Sequence, residues 1–254
     1  MKIGIDIGAS LTKIVAIEGD EIIWKKCVET TENIDFDSLI PYDEISEIYI
    51  TGGNPNTYPE KIKKIETRSF PEIEAMAKGV GVEDCLIVSM GTGTCIVDVK
   101  NGKSEHVGGT SMGGGTYRSL VGMMAGIDDF NEMEIEAKKG DLSKMDLSVK
   151  DIKGEGIGIL NEDITASNLG KLKGKENLSK GDIILGVQNL IAESIFSTTF
   201  FASGQTGNKN VIFIGKMIEI QSIKEKIELL CSRFGLKMVV PKNPAFVTAM
   251  GTLK

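Results

Sequence analysis

The first stretch able to do chemistry is IGIDIGASLTKI, residues 3–14, in which a strand-like run reaches Asp6 and continues through Gly8, Ala9 and Ser10. Small residues let backbone N–H groups approach an anion, and a neighbouring carboxylate can hold a divalent cation through water. A nucleotide phosphate with its metal would explain both features, although a tight turn would explain either one alone. The stretch predicts a phosphate loop if the chain supplies an opposing one.

A second turn of small and hydroxylated residues, Gly91-Thr92-Gly93-Thr94, lies at the matching place of a second unit. Residues 2–27 and 85–107 share one order: strand, small-residue turn, strand, two-residue turn and strand. The two-residue turns are Gly19-Asp20 and Asn101-Gly102, and Asn-Gly is a strong signal for a type I′ hairpin. A duplicated unit of three strands would place the small-residue turns opposite each other across a cleft, which favours a nucleotide site.

A glycine-rich run, GGTSMGGG at residues 108–115, leads directly into a predicted apolar helix. Gly113, Gly114 and Gly115 would offer free N–H groups and the positive end of the helix dipole to a phosphate. A mobile loop is the alternative for some of these glycines. The number of glycines favours a close approach of the backbone to a ligand.

Two carboxylates and the single histidine are the candidates for proton transfer and acceptor binding. Glu72 and Glu74 lie early in a helix predicted over residues 70–80, with Pro71 in its first turn. Carboxylates there complement the helix dipole or face solvent, but one facing the cleft would serve as a general base for a substrate hydroxyl. His106 precedes the glycine run and is either structural or a substrate contact.

The elements that must position these residues alternate between short strands and helices. Strands are predicted at residues 46–53, 210–217 and 237–241, and helical segments at 127–150, 181–203, 222–235 and 243–254. The helix at 181–203 is long and amphipathic in pattern. This order predicts an α/β protein with two similar lobes, whose ligand lies in the crevice at the strand ends.

Composition narrows the class of protein. The 254 residues carry a net charge of −7, which argues against general nucleic-acid binding. No CxxC pair occurs among Cys27, Cys85, Cys95 and Cys231, which predicts reduced, buried thiols, and one histidine excludes a His-rich metal site. No uninterrupted apolar run reaches the roughly 18 residues of a membrane helix, and no signal-peptide pattern precedes the first strand. We therefore expect a cytoplasmic protein that binds neither nucleic acid nor membrane.

Taken in order, the motifs resemble the type II pantothenate kinases of the actin-like ATPase superfamily, almost from end to end. Asp6, Gly8, Ser10 and Lys13 are in register with that family's first phosphate motif, D-x-G-G-T-L-x-K. The further matches are ITGGN (50–54), FPEIEA (70–75), MGTGTC (90–95), VGGTSMGGGTYRSL (107–120), KKGD (138–141), ITASNLGKL (164–172), FIGKM (213–217) and NPAFVTAMGTL (243–253).

The resemblance implies a duplicated ribonuclease H-like (actin-like ATPase) fold, with an N-terminal lobe at 1–80 and a C-terminal lobe at 81–254 around a nucleotide cleft. It implies ATP-dependent phosphorylation of the primary hydroxyl of pantothenate, or of pantetheine, in coenzyme A biosynthesis. A homodimer formed through the helix at 183–200 is also implied.

The same resemblance assigns roles to single residues. Glu72 would be the catalytic base, and Asp6 would position Mg²⁺. Lys13 and the two small-residue turns would hold the phosphates of ATP, and Gly215 would flank the adenosine. The acceptor pocket would be lined by His106, Gly109 and Ser111.

Two departures from the family pattern stand out. Ala9 and Ser10 replace a Gly-Thr pair, a change that phosphate binding can tolerate. His106 stands where the family has an arginine, and histidine is shorter and lacks the bidentate fork. Activity is then reduced, or the acceptor differs, or another cation such as Arg118 or Lys78 substitutes.

Three alternative functions stay open at this point. The first is a kinase of the same fold acting on another hydroxyl, such as that of an N-acetyl sugar. The second is an activator ATPase that passes electrons to a dehydratase through a shared iron–sulfur cluster, which the sequence contexts of the cysteines disfavour. The third is a nucleotide-binding regulator without turnover.

Overall fold

The structure is a computed structural model that describes residues 1–19, 21–156, 161–173 and 177–254. The strands are β1 (Lys2–Ile7), β2 (Leu11–Glu18), β3 (Glu21–Glu29), β4 (Glu47–Thr51), β5 (Lys61–Ile62), β6 (Ile65–Ser69), β7 (Cys85–Met90), β8 (Thr94–Lys100), β9 (Lys103–Thr110), β10 (Leu147–Ser148), β11 (Thr165–Ser167), β12 (Asn210–Ile214) and β13 (Lys237–Val239). The α-helices are α1 (Phe36–Leu39), α2 (Glu72–Val80), α3 (Gly114–Ala125), α4 (Phe130–Ala137), α5 (Val149–Lys153), α6 (Lys180–Thr206), α7 (Gln221–Arg233) and α8 (Val247–Gly251).

Two sheets repeat one plan. The first has the order β3-β2-β1-β4-β6-β5 and the second β9-β8-β7-β12-β13. In each, three antiparallel strands form a meander, and the first strand of the meander also pairs in parallel with a strand that follows a crossover. The duplicated α/β fold with two lobes is thereby confirmed. Asn101 and Gly102 both have positive φ, 53° and 72°, as a type I′ turn requires, whereas Asp20 of the other predicted turn lies outside the described residues.

The first sheet is covered on both faces. Its central strand β1 carries apolar residues on one face and small or polar residues on the other. Ile3 and Ile5 of β1 pack with Ile48 and Ile50 of β4 in a buried cluster on one face. On the other face, a Cβ added to Gly4 would lie 2.2 Å from the carbonyl oxygen of Ala249. Helix α8, from the end of the chain, thus packs directly onto β1.

The second sheet is covered by α3, α6 and α7 on one face and by α2 on the other. Helices α2 and α8 are in close contact, since a Cβ on Gly251 would lie 1.8 Å from the carbonyl oxygen of Ala75. Helix α2 therefore packs on the second sheet while α8 packs on the first. The lobe boundary between residues 80 and 81 stays a prediction.

Two predicted helical segments differ from the structure. The segment 127–150 is not continuously helical: α4 is followed by a 3₁₀ turn at Leu142–Lys144 and by the short strand β10. Gly140 explains the break, because its Cβ would lie 2.2 Å from the carbonyl oxygen of Gly181 where the chain crosses the start of α6. The predicted terminal helix is reduced to a 3₁₀ turn and α8, because Asn243 adopts a left-handed φ of 57°.

Helix α6 is a core helix rather than the amphipathic helix that its pattern indicates. By length and composition, α6 is long and apolar enough to cross a membrane. The count of uninterrupted apolar residues in the sequence does not predict this. In the structure, 56% of the most apolar window of α6 is buried inside the protein. Buried polar residues such as Asp182 and Gln188 lie on it among the apolar ones. Such burial is typical of a helix at the centre of a helical layer.

Candidate active site

The two small-residue turns face each other, as the duplication predicts. Gly8-Ala9-Ser10 connects β1 to β2, and Gly91-Thr92-Gly93 connects β7 to β8. The hydroxyl of Thr92 donates a hydrogen bond to Ser10 Oγ at 2.9 Å, although 82 residues separate the two. A loop from each meander therefore borders the same space.

A cavity of about 730 Å³ opens beside this contact, a volume typical of a small-molecule site. The predicted cofactor residues that line it are Ser10, Lys13, Gly91, Thr92, Gly114 and Gly115. The other lining residues are Leu11, Cys27, Glu29, Arg118, Ser119, Phe130, Asn131, Glu134, Lys216, Met217, Glu219 and Ile220. Polar turns and cations thus meet an apolar wall, a combination that suits a nucleotide.

The glycine run ahead of α3 serves a different purpose from the predicted one. The N–H groups of Gly114 and Gly115 are not free: they donate to the carbonyl oxygens of Gly91 and Thr92 at 2.8 and 3.0 Å. A Cβ on Gly113 would lie 2.6 Å from the carbonyl oxygen of Thr92. The glycines are needed because the start of α3 packs against the second turn and fixes it.

The remaining predicted cofactor residues do not line the cavity: Asp6, Gly8, Ala9, Gly93, Thr94, Gly113 and Gly215. Two of them brace its walls. The hydroxyl of Thr94 donates to the carbonyl oxygen of Met112 at 2.8 Å. Gly215 has φ 98° and no room for a side chain, since a Cβ would lie 2.4 Å from the carbonyl oxygen of Met90. That turn presents Lys216 and Met217 to the cavity.

Asp6 and Lys13 form a buried ion pair at the end of β1. They are cross-strand partners, with Lys13 Nζ 3.2 Å from Asp6 Oδ2 and side-chain exposures of 11% and 9%. Burial raises the pKa of Asp6, and the positive charge of Lys13 opposes that rise. Lys13 is therefore the counter-ion that favours the charged form of a carboxylate in this buried place.

The donor set at Asp6 fits Mg²⁺ bound together with a nucleotide. Mg²⁺ is commonly held by one or two carboxylates, substrate phosphates and several waters rather than by an all-protein cage. The described residues contain no group of three or more His, Cys, Asp or Glu side chains able to hold a metal. Asp6, adjoining the first turn, would supply a carboxylate for such a site.

Glu72 begins α2 and is electrostatically coupled to the ion pair. Partial burial and the negative charge of Asp6 raise the pKa of Glu72, and Lys13 opposes both effects. Glu74, in the same helical turn, instead pairs with Lys78 at 3.1 Å on the surface. Glu72 is therefore the candidate carboxylate that the charges of Asp6 and Lys13 reach.

Tyr58 and Cys95 lie close to Glu72, and sequence reasoning missed both. The Tyr58 hydroxyl donates to the carbonyl oxygen of Gly52, and its pKa is raised by burial and by the charges of Glu72 and Asp6. The pKa of Cys95 is raised to about 11 by burial and by Glu72. No sequence signal marks Tyr58, because it follows an irregular loop after the Thr51-Gly52-Gly53-Asn54 turn.

The predicted acceptor residues lie along β9 and the turn after it, outside the cavity lining. His106 is exposed and pairs with Val97 at a β-bulge, and Gly109 pairs with Cys95. Ser111 is also exposed, and its carbonyl oxygen accepts from Thr116 Oγ1 at 3.1 Å. These residues share one edge of the second sheet, and Gly109 brings that edge next to Cys95 and hence to Glu72.

Both proposed substitutes for the family arginine already have carboxylate partners. Arg118 lines the nucleotide cavity, where it makes a bidentate pair with Asp128 at 2.7 and 2.9 Å and a contact with Glu29 at 3.2 Å. Lys78 pairs with Glu74 and lies 4.9 Å from the ring centre of Phe70. Both cations are already neutralised by carboxylates, which does not favour either as the replacement.

The prediction of buried thiols is correct for Cys85 and Cys231 and wrong for Cys27. Cys27 is exposed and lines the cavity, because β3 is an edge strand whose alternate residues face the cleft. Cys95 is intermediate in exposure. All four cysteines are free thiols.

Comparisons with known proteins agree with this geometry. Several solved structures share the fold over 99% of the chain. One is the activator of the 2-hydroxyisocaproyl-CoA dehydratase from Clostridium difficile with bound ADPNP, with TM-score 0.69, 16% identity and 92% of that chain covered. Another is a ROK family glucokinase from Streptomyces griseus in complex with glucose and AMPPNP, with TM-score 0.62, 12% identity and 97% covered.

Sequence comparison identifies the family. The type II pantothenate kinase of Staphylococcus aureus (strain USA300) is 26% identical over 266 residues, which cover all of this chain and 98% of that protein. A family model described as Fumble matches residues 57–251, from the loop after β4 to the end of α8. The chain therefore belongs to the Fumble family, the family of the type II pantothenate kinases.

Proposed function

We propose that the protein transfers the γ-phosphate of ATP to the primary hydroxyl of pantothenate, or of the close relative pantetheine, in coenzyme A biosynthesis. The observation that carries the proposal is the contact of the two small-residue turns through Ser10 and Thr92 beside the buried Asp6–Lys13 pair, and the charges of that pair reach Glu72. Family membership supports the reaction class. We further propose a cytoplasmic homodimer.

The cavity accounts for nucleotide binding in two parts. Phe130, Met217 and Ile220 supply apolar lining suited to a base, and the two small-residue turns and Lys13 supply polar lining. Backbone N–H groups and one ammonium group can together stabilise phosphate oxygens. Mg²⁺, held by Asp6 and the phosphates, would neutralise charge on the transferred group.

Glu72 is proposed to accept the proton of the acceptor hydroxyl as its oxygen attacks the γ-phosphorus in line. The other product is ADP, and the proton ends on the Glu72 carboxylate. A base must be ionised at working pH, and a modestly raised pKa improves its proton affinity. We propose that the acceptor approaches along β9, past Gly109 and His106, because that edge adjoins Cys95 and Glu72.

Two features bear on the other proposals. Phe201 of α6 is 73% exposed and Phe200 37%, an apolar surface that supports a dimer through this helix. A dehydratase-activator function is not favoured, because Cys85 and Cys231 are buried and Cys27 faces the nucleotide cavity. Such positions do not suit a cluster shared between two subunits.

The test is ATP turnover by purified protein with pantothenate, pantetheine and hexoses as acceptors. Glu72→Gln should lower kcat by about 100- to 10,000-fold, the usual contribution of a general base, while ADP affinity is retained. Glu74→Gln is the matched control, since this neighbour pairs with Lys78 on the surface and should keep wild-type turnover.

Three results would contradict the proposal. Turnover of pantothenate that persists in Glu72→Gln would exclude Glu72 as the base. Turnover with a hexose alone would indicate a sugar kinase. ATP binding without phosphorylation of any acceptor would indicate a regulator.

A further inference from the structure

Thr51 carries a buried hydroxyl that has no hydrogen-bond partner. Among the described residues, only Thr51 Oγ1 and Asn210 Oδ1 are fully buried side-chain polar atoms without one. Asn210 lies at the start of β12, away from the site, and its amide nitrogen bonds the carbonyl oxygen of Asp84 at 3.4 Å. Thr51 is the last residue of β4 and is completely buried. An orphan hydroxyl of this kind costs stability unless a ligand satisfies it.

The register of the first sheet places this hydroxyl beside Asp6. Strands β1 and β4 are parallel, and Asp6 is the direct partner of Thr51, so the two side chains lie on the same sheet face. Lys13, the partner of Asp6 on β2, lies on that face too and bonds Oδ2. Neither group satisfies the Thr51 hydroxyl.

Gly52 packs closely against the other oxygen of the Asp6 carboxylate, Oδ1. The next residue, Gly52, has φ 79°, and a Cβ there would come within 2.8 Å of Asp6 Oδ1 and 2.7 Å of the carbonyl oxygen of Ile7. A side chain at this position would therefore crowd the carboxylate oxygen that Lys13 leaves unbonded. The chain at the end of β4 thus places a hydroxyl, and then a residue without a side chain, beside the Asp6 carboxylate.

We propose that Thr51 Oγ1 is kept unpartnered in order to hydrogen-bond a water of the divalent cation that Asp6 holds, which makes Thr51 a positioning residue for the metal–nucleotide complex. The inference rests on the proposed ATP site. Mg²⁺ retains several waters when few protein ligands bind it, and hydrogen bonds to such waters orient the ion. A hydroxyl suits this role because it accepts from a metal-bound water without adding charge.

The test compares Thr51→Val, which removes the hydroxyl at nearly constant shape, with Thr51→Ser, which restores it. The dissociation constant of ADP is measured by calorimetry in Mg²⁺ and in EDTA, and their ratio gives the advantage conferred by the metal. We expect Thr51→Val to reduce that advantage about 10-fold, with affinity in EDTA unchanged. Thr51→Ser should retain it.

The same variants give a second readout that needs no nucleotide. Because Thr51→Val removes an unsatisfied buried group, its melting temperature should rise by about 2–4 °C. A fall in melting temperature would overturn the proposal, since the hydroxyl would then serve the resting fold. An unchanged metal advantage in Thr51→Val would also overturn it.

Failure of the proposed function gives different results. No acceptor is present in these titrations, so loss of pantothenate phosphorylation would not affect them. A wild-type protein whose ADP affinity is equal in Mg²⁺ and in EDTA would overturn both the metal–nucleotide site and the role of Thr51. A normal wild-type advantage that survives in Thr51→Val would overturn only the latter.

Discussion

Replacing Lys13 with methionine tests whether the buried Asp6–Lys13 pair supports both the fold and the site. Methionine keeps the length and apolar character of the side chain but removes the charge. Asp6 would then be an uncompensated carboxylate of 9% exposure, without its ion-pair partner. Removing one partner of a buried pair costs about 3–5 kcal/mol, so we take the lower value, about 3 kcal/mol, for this site at the edge of a cleft.

The assay is thermal and urea unfolding of the nucleotide-free protein between pH 4 and pH 7. A loss of about 3 kcal/mol corresponds to a fall in melting temperature of roughly 6–12 °C for a chain of this size. Lys2→Met is the control: Lys2 lies on β1, the strand of Asp6, but makes an ion pair with Glu47 at the surface, where removal has little effect on stability.

The pH dependence has a definite sign. Burial raises the pKa of Asp6, and without Lys13 that rise is unopposed. A carboxylate whose folded pKa is raised destabilises the fold above that pKa, and the penalty disappears as the pH falls towards the unfolded value of about 3.9. The deficit of Lys13→Met should therefore be largest at pH 7 and shrink as the pH approaches 4.

Two results would refute this reasoning. One is a cost at pH 7 no larger than that of Lys2→Met, which would mean that Asp6 is effectively solvated. The other is a deficit that does not shrink on acidification, which would assign the loss to packing. In the double variant Asp6→Asn/Lys13→Met, most of the lost stability should return, because no buried charge is left unpaired.

Two further predictions concern neighbouring packing. Gly251→Ala should destabilise the protein by more than about 2 kcal/mol in urea unfolding, because its Cβ would lie 1.8 Å from the carbonyl oxygen of Ala75. The control Gly204→Ala, which has open space in α6, should stabilise the protein by about 0.5–1 kcal/mol. Equal effects of the two substitutions would contradict the packing of α8 against α2. Tyr58→Phe removes the donor to the Gly52 carbonyl and should lower the free energy of unfolding by about 1 kcal/mol, and an unchanged urea midpoint would contradict this.

Local sequence patterns determined much of this protein. The meanders follow from apolar runs interrupted by small residues, and the Asn101-Gly102 hairpin follows from a dipeptide that tolerates positive φ. Repetition of that order predicted that the two small-residue turns would face each other, and Ser10 and Thr92 within them are hydrogen-bonded. These features depend on residues near each other in sequence, or on a symmetry that the sequence itself displays.

Only the tertiary structure decided which groups are free. The N–H groups of Gly114 and Gly115 are used against the second turn, and Cys27 faces the cavity from an edge strand. Whether a backbone amide or a thiol is satisfied depends on partners brought in by chain crossings, which local patterns do not encode.

The same limit explains Thr51. Read alone, it is a β-branched residue that favours the end of a strand. Parallel pairing of β4 with β1 places it beside Asp6, and close packing of the surrounding elements leaves its hydroxyl without a partner. The sequence by itself determined the strands and turns that build this site, whereas long-range packing decided which polar atoms remain available to a ligand.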